Sequence, residues 1–264
     1  MHHRGSHPGR CRATRATAGP GRRHARGDPP RRGGQAANVA AWTSALGARS
    51  RLICKRGTDG ASGLAAAELA RFGAEVCGPV VEGRGGVVVS VRNARGERTM
   101  ASDRGVASTL EPSELDPAWM RSCDVLHVSG YCLLREPMAR AAIGAARLAR
   151  RVTVDLASAH DIELLGADTF AARLTELGPD LAFATEAERA AVPSFDTAWV
   201  IKLGARGARF PEGEYPAPAI SVVDTTGAGD ALAAGYLVGG PQCAIEAAAQ
   251  CVGLIGAMPA VSGL

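Results

Sequence analysis

From Ala36 onward the apolar residues follow two rhythms. Ala36–Leu46, Ala61–Phe72, Glu136–Arg150, Phe170–Leu177 and Glu186–Ala191 are long or Ala- and Glu-rich enough to predict helices, with Gly73 closing the second as a C-cap. Arg51–Lys55, Val125–Ser129, Val152–Leu156, Leu181–Ala184 and Trp199–Leu203 are short aliphatic runs of strand length. Gly86–Arg92 and Glu97–Ser102 read as a hairpin around Asn93-Ala94-Arg95-Gly96. A strand at Val222–Val223, a helix over Gly229–Leu237 and an Ala-rich helix from Cys243 complete the pattern. After Pro112 strands and helices alternate, which predicts an α/β fold with a mostly parallel sheet covered on both faces. The hairpin breaks that rhythm and is expected to project from the sheet. No internal repeat is present.

Composition changes the picture at one end. Residues 1–32 contain no Val, Ile, Leu, Phe, Tyr or Trp, so they can supply neither a buried strand nor a packing helix. They are read as a disordered or artefactual segment, and 33–264 as the folded domain. The same 32 residues hold nine Arg and one Asp, a charge of +8 against +4 for the whole chain, which leaves −4 on the rest. The basicity belongs to the tail, and the body offers no nucleic-acid face. No apolar run reaches the roughly 18 residues of a membrane span, and the N-terminus lacks the apolar core of a secretory signal. The seven Cys include no Cys-x-x-Cys pair and are read as reduced thiols of a cytoplasmic protein.

The chemistry concentrates in Val222-Val223-Asp224-Thr225-Thr226-Gly227-Ala228-Gly229-Asp230 and the Ala-rich stretch that follows. Small residues opening a helix let an anion approach backbone N–H groups closely. A carboxylate at the same helix start can take a proton from a hydroxyl beside a phosphate. The combination points to phosphoryl transfer to an alcohol. Other phosphate-binding classes fall away. No Gly-Lys dipeptide exists for a Walker A loop, and no His-Arg-Asp or Asp-Phe-Gly accompanies Val200-Ile201-Lys202. In a dinucleotide fingerprint beginning at Gly227, Leu232 would replace the third small residue and Asp230 would face a pyrophosphate.

Three segments, in order, resemble the ribokinase-like (PfkB) carbohydrate kinase family. The first is Gly33-Gly34-Gln35-Ala36-Ala37-Asn38 with Leu46-Gly47-Ala48 and Gly57-Thr58-Asp59-Gly60-Ala61-Ser62-Gly63. The second is Lys202-Leu203-Gly204-Ala205-Arg206-Gly207-Ala208, and the third is Asp224 to Asp230. The resemblance implies a three-layer α/β/α fold with a small β lid around 86–102. It also implies transfer of the γ-phosphate of Mg-ATP to a hydroxyl of a sugar or related small polyol.

By that resemblance Asp230 is the catalytic base, and the amides of Gly227, Ala228 and Gly229 form the anion hole. Gly33, Gly34 and Asn38 fall at sugar-binding positions. Lys202, Gly204, Arg206, Gly207 and Thr185 fall at nucleotide positions. Glu188 matches the Glu of an Asn-x-x-Glu motif that influences magnesium, with Thr185 in the Asn place. Asp224 and Thr226 match positions that help hold a monovalent cation, K+. A homodimer through the lid is the protein partner carried with this reading.

Plainer roles stand beside these. Asp230 suits a helix dipole, Asp224 and Thr226 suit turn chemistry, and Asp59 suits an Asx-turn. Gly33 and Gly34 suit a loop entering a helix, Arg206 and Glu188 suit solvated charges, and His127 suits a satisfied core position. One departure is large: the family begins with a hydrophobic strand carrying an Asp toward the sugar, and residues 1–32 have no counterpart, Asp28 lying before Pro29-Pro30. A nucleoside kinase of the same family and a non-catalytic sugar- or nucleotide-binding relative therefore stay open as alternatives.

Overall fold

Four strands whose residues alternate between two apolar faces form the centre of the molecule. The computed structural model describes residues 34–92, 98–120, 123–156 and 158–260, with backbone alone over 89–101. Gly33, the Arg-rich segment and the predicted hairpin turn lie outside the described residues. The elements run α1 (Gln35–Ala45), β1 (Arg51–Ile53), β2 (Arg56–Gly57), α2 (Gly60–Arg71), β3 (Glu75–Cys77), β4 (Val80–Val81), β5 (Val87–Arg92) and β6 (Arg98–Asp103). There follow β7 (Leu126–Ser129), α3 (Met138–Ala146), β8 (Val152–Asp155), α4 (Ala159–Leu165), α5 (Ala167–Leu177), β9 (Leu181–Thr185) and α6 (Glu186–Ala190). The last are β10 (Ala198–Lys202), β11 (Ala208–Phe210), β12 (Gly213–Tyr215) and α7 (Ala228–Val252).

The main sheet has the order β12-β11-β10-β9-β8-β7. Its strands β7 to β10 are mutually parallel and β11 and β12 antiparallel. Strands β1 and β3 form a parallel pair of their own, as do β2 and β4, and β5 with β6 is a separate antiparallel hairpin in the expected place. The register pairs His127 with Thr153 and Ser129 with Asp155. It also pairs Asp155 with Phe183 and Lys202 with Thr185.

Pleating therefore sends two residue sets to opposite faces. Val128, Val154, Ala182, Ala184 and Ile201 meet Ile143, Ile162, Phe170 and Leu174 from α3, α4 and α5. Leu181, Phe183 and Val200 meet Val39 and Trp42 of α1 and Ala231–Ala234, Ala244 and Ala247 of α7. Helices cover both faces, giving the three layers. The small side chains of α7 let it lie close to the sheet and pack its length against α1.

Several boundaries differ from expectation. Val222 and Val223 form no strand. Two β-branched residues are too few to hold a ladder, and both are exposed (59% and 48%) while the amides of Val223 and Asp224 donate to Val252 O. The two C-terminal helices run on as α7 but break at Gly239 (φ −143°) and Gly240 (φ 75°), just before Pro241. Among the described residues no helix is long and apolar enough to cross a membrane.

Candidate active site

The same pleat that buries Leu181 and Val200 also fixes where the polar side chains go. Ser129, Asp155, Thr185 and Lys202 are each the final residue of β7, β8, β9 and β10, and all lie on the face beneath α1 and α7. They form a row along the carboxyl ends of four adjacent parallel strands, where open α/β sheets place their ligands. The first turns of α1 and α7 come down on this row. Ser129 Oγ donates to Gln35 Oε1, and Asn38 Nδ2 donates to Asp230 Oδ2 at 2.6 Å. Gln35 and Asn38 are one helical turn apart, so one face of α1 serves both contacts.

Asp230 keeps partial solvent access, yet desolvation pushes its carboxyl up to about 6, against the lowering effect of the Asn38 bond and of Lys202. Lys202 Nζ donates to Asp155 Oδ1 at 2.6 Å, with the Asp155 side chain fully buried. Burial pushes Asp155 up to about 7; Lys202 pulls the other way, and Asp230 and Glu188 add to the rise. For Lys202, burial works against the charge but Asp155 and Glu188 more than offset it, so the proton rests on the lysine. Asn38 Oδ1, Asp155 Oδ2 and His127 Nε2 are buried without a partner among the described residues. Among the described residues one further such atom, Arg56 Nε in β2, lies elsewhere, and the concentration of the other three on this face marks it as a place that receives something.

The turn before α7 is built to a tight tolerance. Gly227 caps the helix at φ 80°, and a Cβ there would stand 2.5 Å from Ala257 Cβ and 2.7 Å from Ala257 O, so only glycine fits. A Cβ on Gly229 would meet Lys202 Nζ at 3.2 Å, which places the ammonium directly against the helix start. The amides of Gly227, Ala228 and Gly229 thus open α7 beside both Lys202 and Asp230, that of Ala228 also reaching Thr225 O at 3.4 Å.

Other sequence-nominated residues take more local roles. Asp224 Oδ1 accepts from the amide and hydroxyl of Thr226 (3.0 and 2.6 Å), and Oδ2 from Gly256 N (3.1 Å). That is turn chemistry. Thr185 and Glu188 form a reciprocal capping box at the start of α6, Thr185 N donating to Glu188 Oε2 at 2.8 Å and Glu188 N to Thr185 Oγ1 at 3.2 Å. Arg206 is 63% exposed and pairs with Glu186 of α6 beside the Gly204–Gly207 turn. In that turn Gly207 (φ 100°) lies where a Cβ would meet Tyr215 O at 2.0 Å. Asp59 caps α2, accepting from Ser62 N and Gly85 N. Gly34 precedes α1 at φ 129°. His127 Nδ1 and Thr153 Oγ1 share a hydrogen bond at 2.9 Å, and the ring packs edge-on to Phe183. Gln35, Ser129 and Asp155 were not singled out from sequence. The available signal was Asp155 itself, a charge closing the apolar run Val152-Thr153-Val154.

Known proteins resemble the chain in sequence and in fold. The model of the pfkB family carbohydrate kinases matches residues 30–242. The chain is similar to an ATP-dependent ribose-1-phosphate kinase of Halopiger xanaduensis, 32% identical over 240 residues that cover 83% of this chain and 78% of that one. Its fold is similar to the adenosine kinase of Sinorhizobium meliloti, with TM-score 0.80 and 25% identity over 87% of this chain and 80% of that one. It is similar also to an uncharacterized sugar kinase of Pyrococcus horikoshii in complex with ATP, with TM-score 0.75 and 23% identity over 88% and 87%. The chain belongs to the pfkB family and is an ATP-dependent carbohydrate kinase.

Proposed function

We propose that this kinase transfers the γ-phosphoryl group of ATP to a hydroxyl of a sugar or related small polyol, in the cytoplasm, with Asp230 as general base. The observation that carries this reading is the Asp230 carboxyl, held by Asn38 over the carboxyl ends of the parallel strands with its proton affinity raised to about 6. A carboxylate tuned toward neutrality is a better acceptor for a hydroxyl proton than an ordinary one. The acceptor oxygen loses its proton to Asp230 as it bonds to the γ-phosphorus, and ADP departs with the electrons of the broken P–O bond. The amides of Gly227, Ala228 and Gly229 meet the charge that builds on the transferring oxygens. Gly34 and Asn38 are the acceptor-side groups, joined by Gly33 from sequence, and the Gly204–Gly207 turn is the nucleotide side.

Magnesium, when bound with the nucleotide, screens phosphate charge. Glu188, whose charge couples to Lys202 and Asp155, is the residue that would answer it through water. Asp224 and Thr226 are the residues that would hold a monovalent cation, with the carboxylate oxygens of Asp224 also accepting bonds within the turn. No step is assigned to K+.

The test is Asp230→Asn, which keeps an acceptor for the Asn38 amide. Its kcat is expected to fall roughly 10²–10⁴-fold with ATP affinity preserved. Near-normal turnover would place the base elsewhere. A coupled ADP-release screen begins with ribose and ribose 1-phosphate, given the Halopiger relative, and continues through hexoses and nucleosides. Turnover confined to nucleosides would replace the sugar acceptor with the nucleoside alternative.

A further inference from the structure

We infer that the Lys202–Asp155 pair is a positioning device that sets the charge on Asp230, with Lys202 serving as one cation shared between two acids. The inference rests on the reading of Asp230 as general base. Lys202 spends one N–H on Asp155 Oδ1, and its side chain lies against Gly229, the residue next to Asp230. Asp155 Oδ2 stays unpartnered among the described residues, so the lysine is the compensation visible for a fully buried carboxylate. A buried ion pair is weak support for a fold, since an apolar pair of equal volume often does as well. Its placement against the first turn of α7 is what needs a role.

The groups whose charge bears on this cluster come from every surrounding element. Asn38 of α1 is a neutral donor to Asp230, Lys202 of β10 is the cation, and Asp155 of β8 and Glu188 of α6 are acids. Tyr131, following β7, and Cys251, at the far end of α7 near Asp224, also feel the Asp230 charge, and His127 of β7 feels that of Lys202. One lysine thus answers several acids. Removing Asp155 leaves its charge to Asp230, and removing Lys202 leaves two buried acids to repel each other. The two deletions must act in opposite directions on the same proton.

The experiment is the pH dependence of kcat for the wild type, Asp155→Asn, Lys202→Met and the double variant, with Asp230→Asn alongside. Ionisation of ATP is common to all, so differences report the protein. Lys202→Met is expected to move the acid limb up by about one pH unit, Asp155→Asn to move it down by about half a unit, and the double variant to lie between them. Equal positions for all, or both single variants shifting the same way, would show a merely structural pair and overturn the inference. Lys202→Arg, which keeps the charge, is expected to hold the limb near its wild-type position. If Lys202→Met does not fold, the arginine variant and Asp155→Asn still carry the sign, and an unmoved limb in Asp155→Asn then overturns the idea. Asp230→Asn separates the two layers. If it retains turnover, the base reading fails and the inference falls with it. If it is inactive while the limbs do not diverge, only the role of the pair fails.

Discussion

Gly227 and Gly229 stand two residues apart and fail differently when a methyl group is added. At Gly227 the obstacle is backbone and the Cβ of Ala257, together with a left-handed φ that costs an L-residue about 1–2 kcal/mol. At Gly229 it is the flexible end of Lys202, which can move aside. Gly227→Ala is therefore expected to lower stability by at least about 2 kcal/mol and to abolish turnover. Gly229→Ala should leave the melting temperature nearly unchanged. Thermal melts of both variants decide it, equal losses arguing against the packing described. At this scale the sequence was most legible where residue type admits one use: paired glycines before an acid, and Asn38 one turn into a helix. Asp155 was not legible, because a strand-terminal acid has no signature until the sheet register shows its neighbours. Thr185, Glu188 and Asp224 were visible, but capping and turn contacts take much of their hydrogen bonding, and spacing alone does not reveal that.

Among elements, α1 holds the site together. Its Trp42 is fully buried and donates Nε1–H to Ala257 O at 2.9 Å, and Ala257 is the residue that packs against Gly227. The helix thus fixes Asn38 at one end and supports the glycine turn from behind. Trp42→Phe leaves that buried carbonyl only the long contact from Cys251 Sγ at 4.0 Å, so a stability loss of about 1–3 kcal/mol is expected by chemical denaturation. A raised KM for ATP is expected to accompany it. A neutral effect on both would mean that α1 and the turn are independent. Long helices and four-residue strands could be read from pattern because they repeat it enough times. The pairs β2 with β4 and β11 with β12 could not, since two or three residues carry no period. The Val222–Val223 expectation failed for the same reason in reverse: β-branched residues without partners to pair with make a loop.

For the whole molecule, pH acts through groups of opposite sign. Burial lowers His127 to about 4 from an ordinary 6.5, so the unfolded chain binds its proton first. That contribution to stability is full above pH 6.5 and is lost as pH falls toward 4. Asp230, raised to about 6 from 3.8, works the other way, penalising the fold above pH 6 and relieving it as pH drops toward 3.8. At about 1.4 kcal/mol per unit, His127 is worth at most about 3.5 kcal/mol and Asp230 about 3 kcal/mol. Unfolding free energy against pH is expected to fall more steeply with acid in Asp230→Asn and less steeply in His127→Leu than in the wild type. Parallel curves would contradict both environments. A different consequence follows from the row at the strand ends. Since Ser129, Asp155, Thr185 and Lys202 owe their direction to the two-residue pleat, adding or deleting one residue inside β7–β10 would turn a reactive group into the opposite helical layer. The mostly exposed connection at the other end of the sheet, 147–151, carries no such constraint. An engineer wishing to graft a foreign module onto this kinase should cut there.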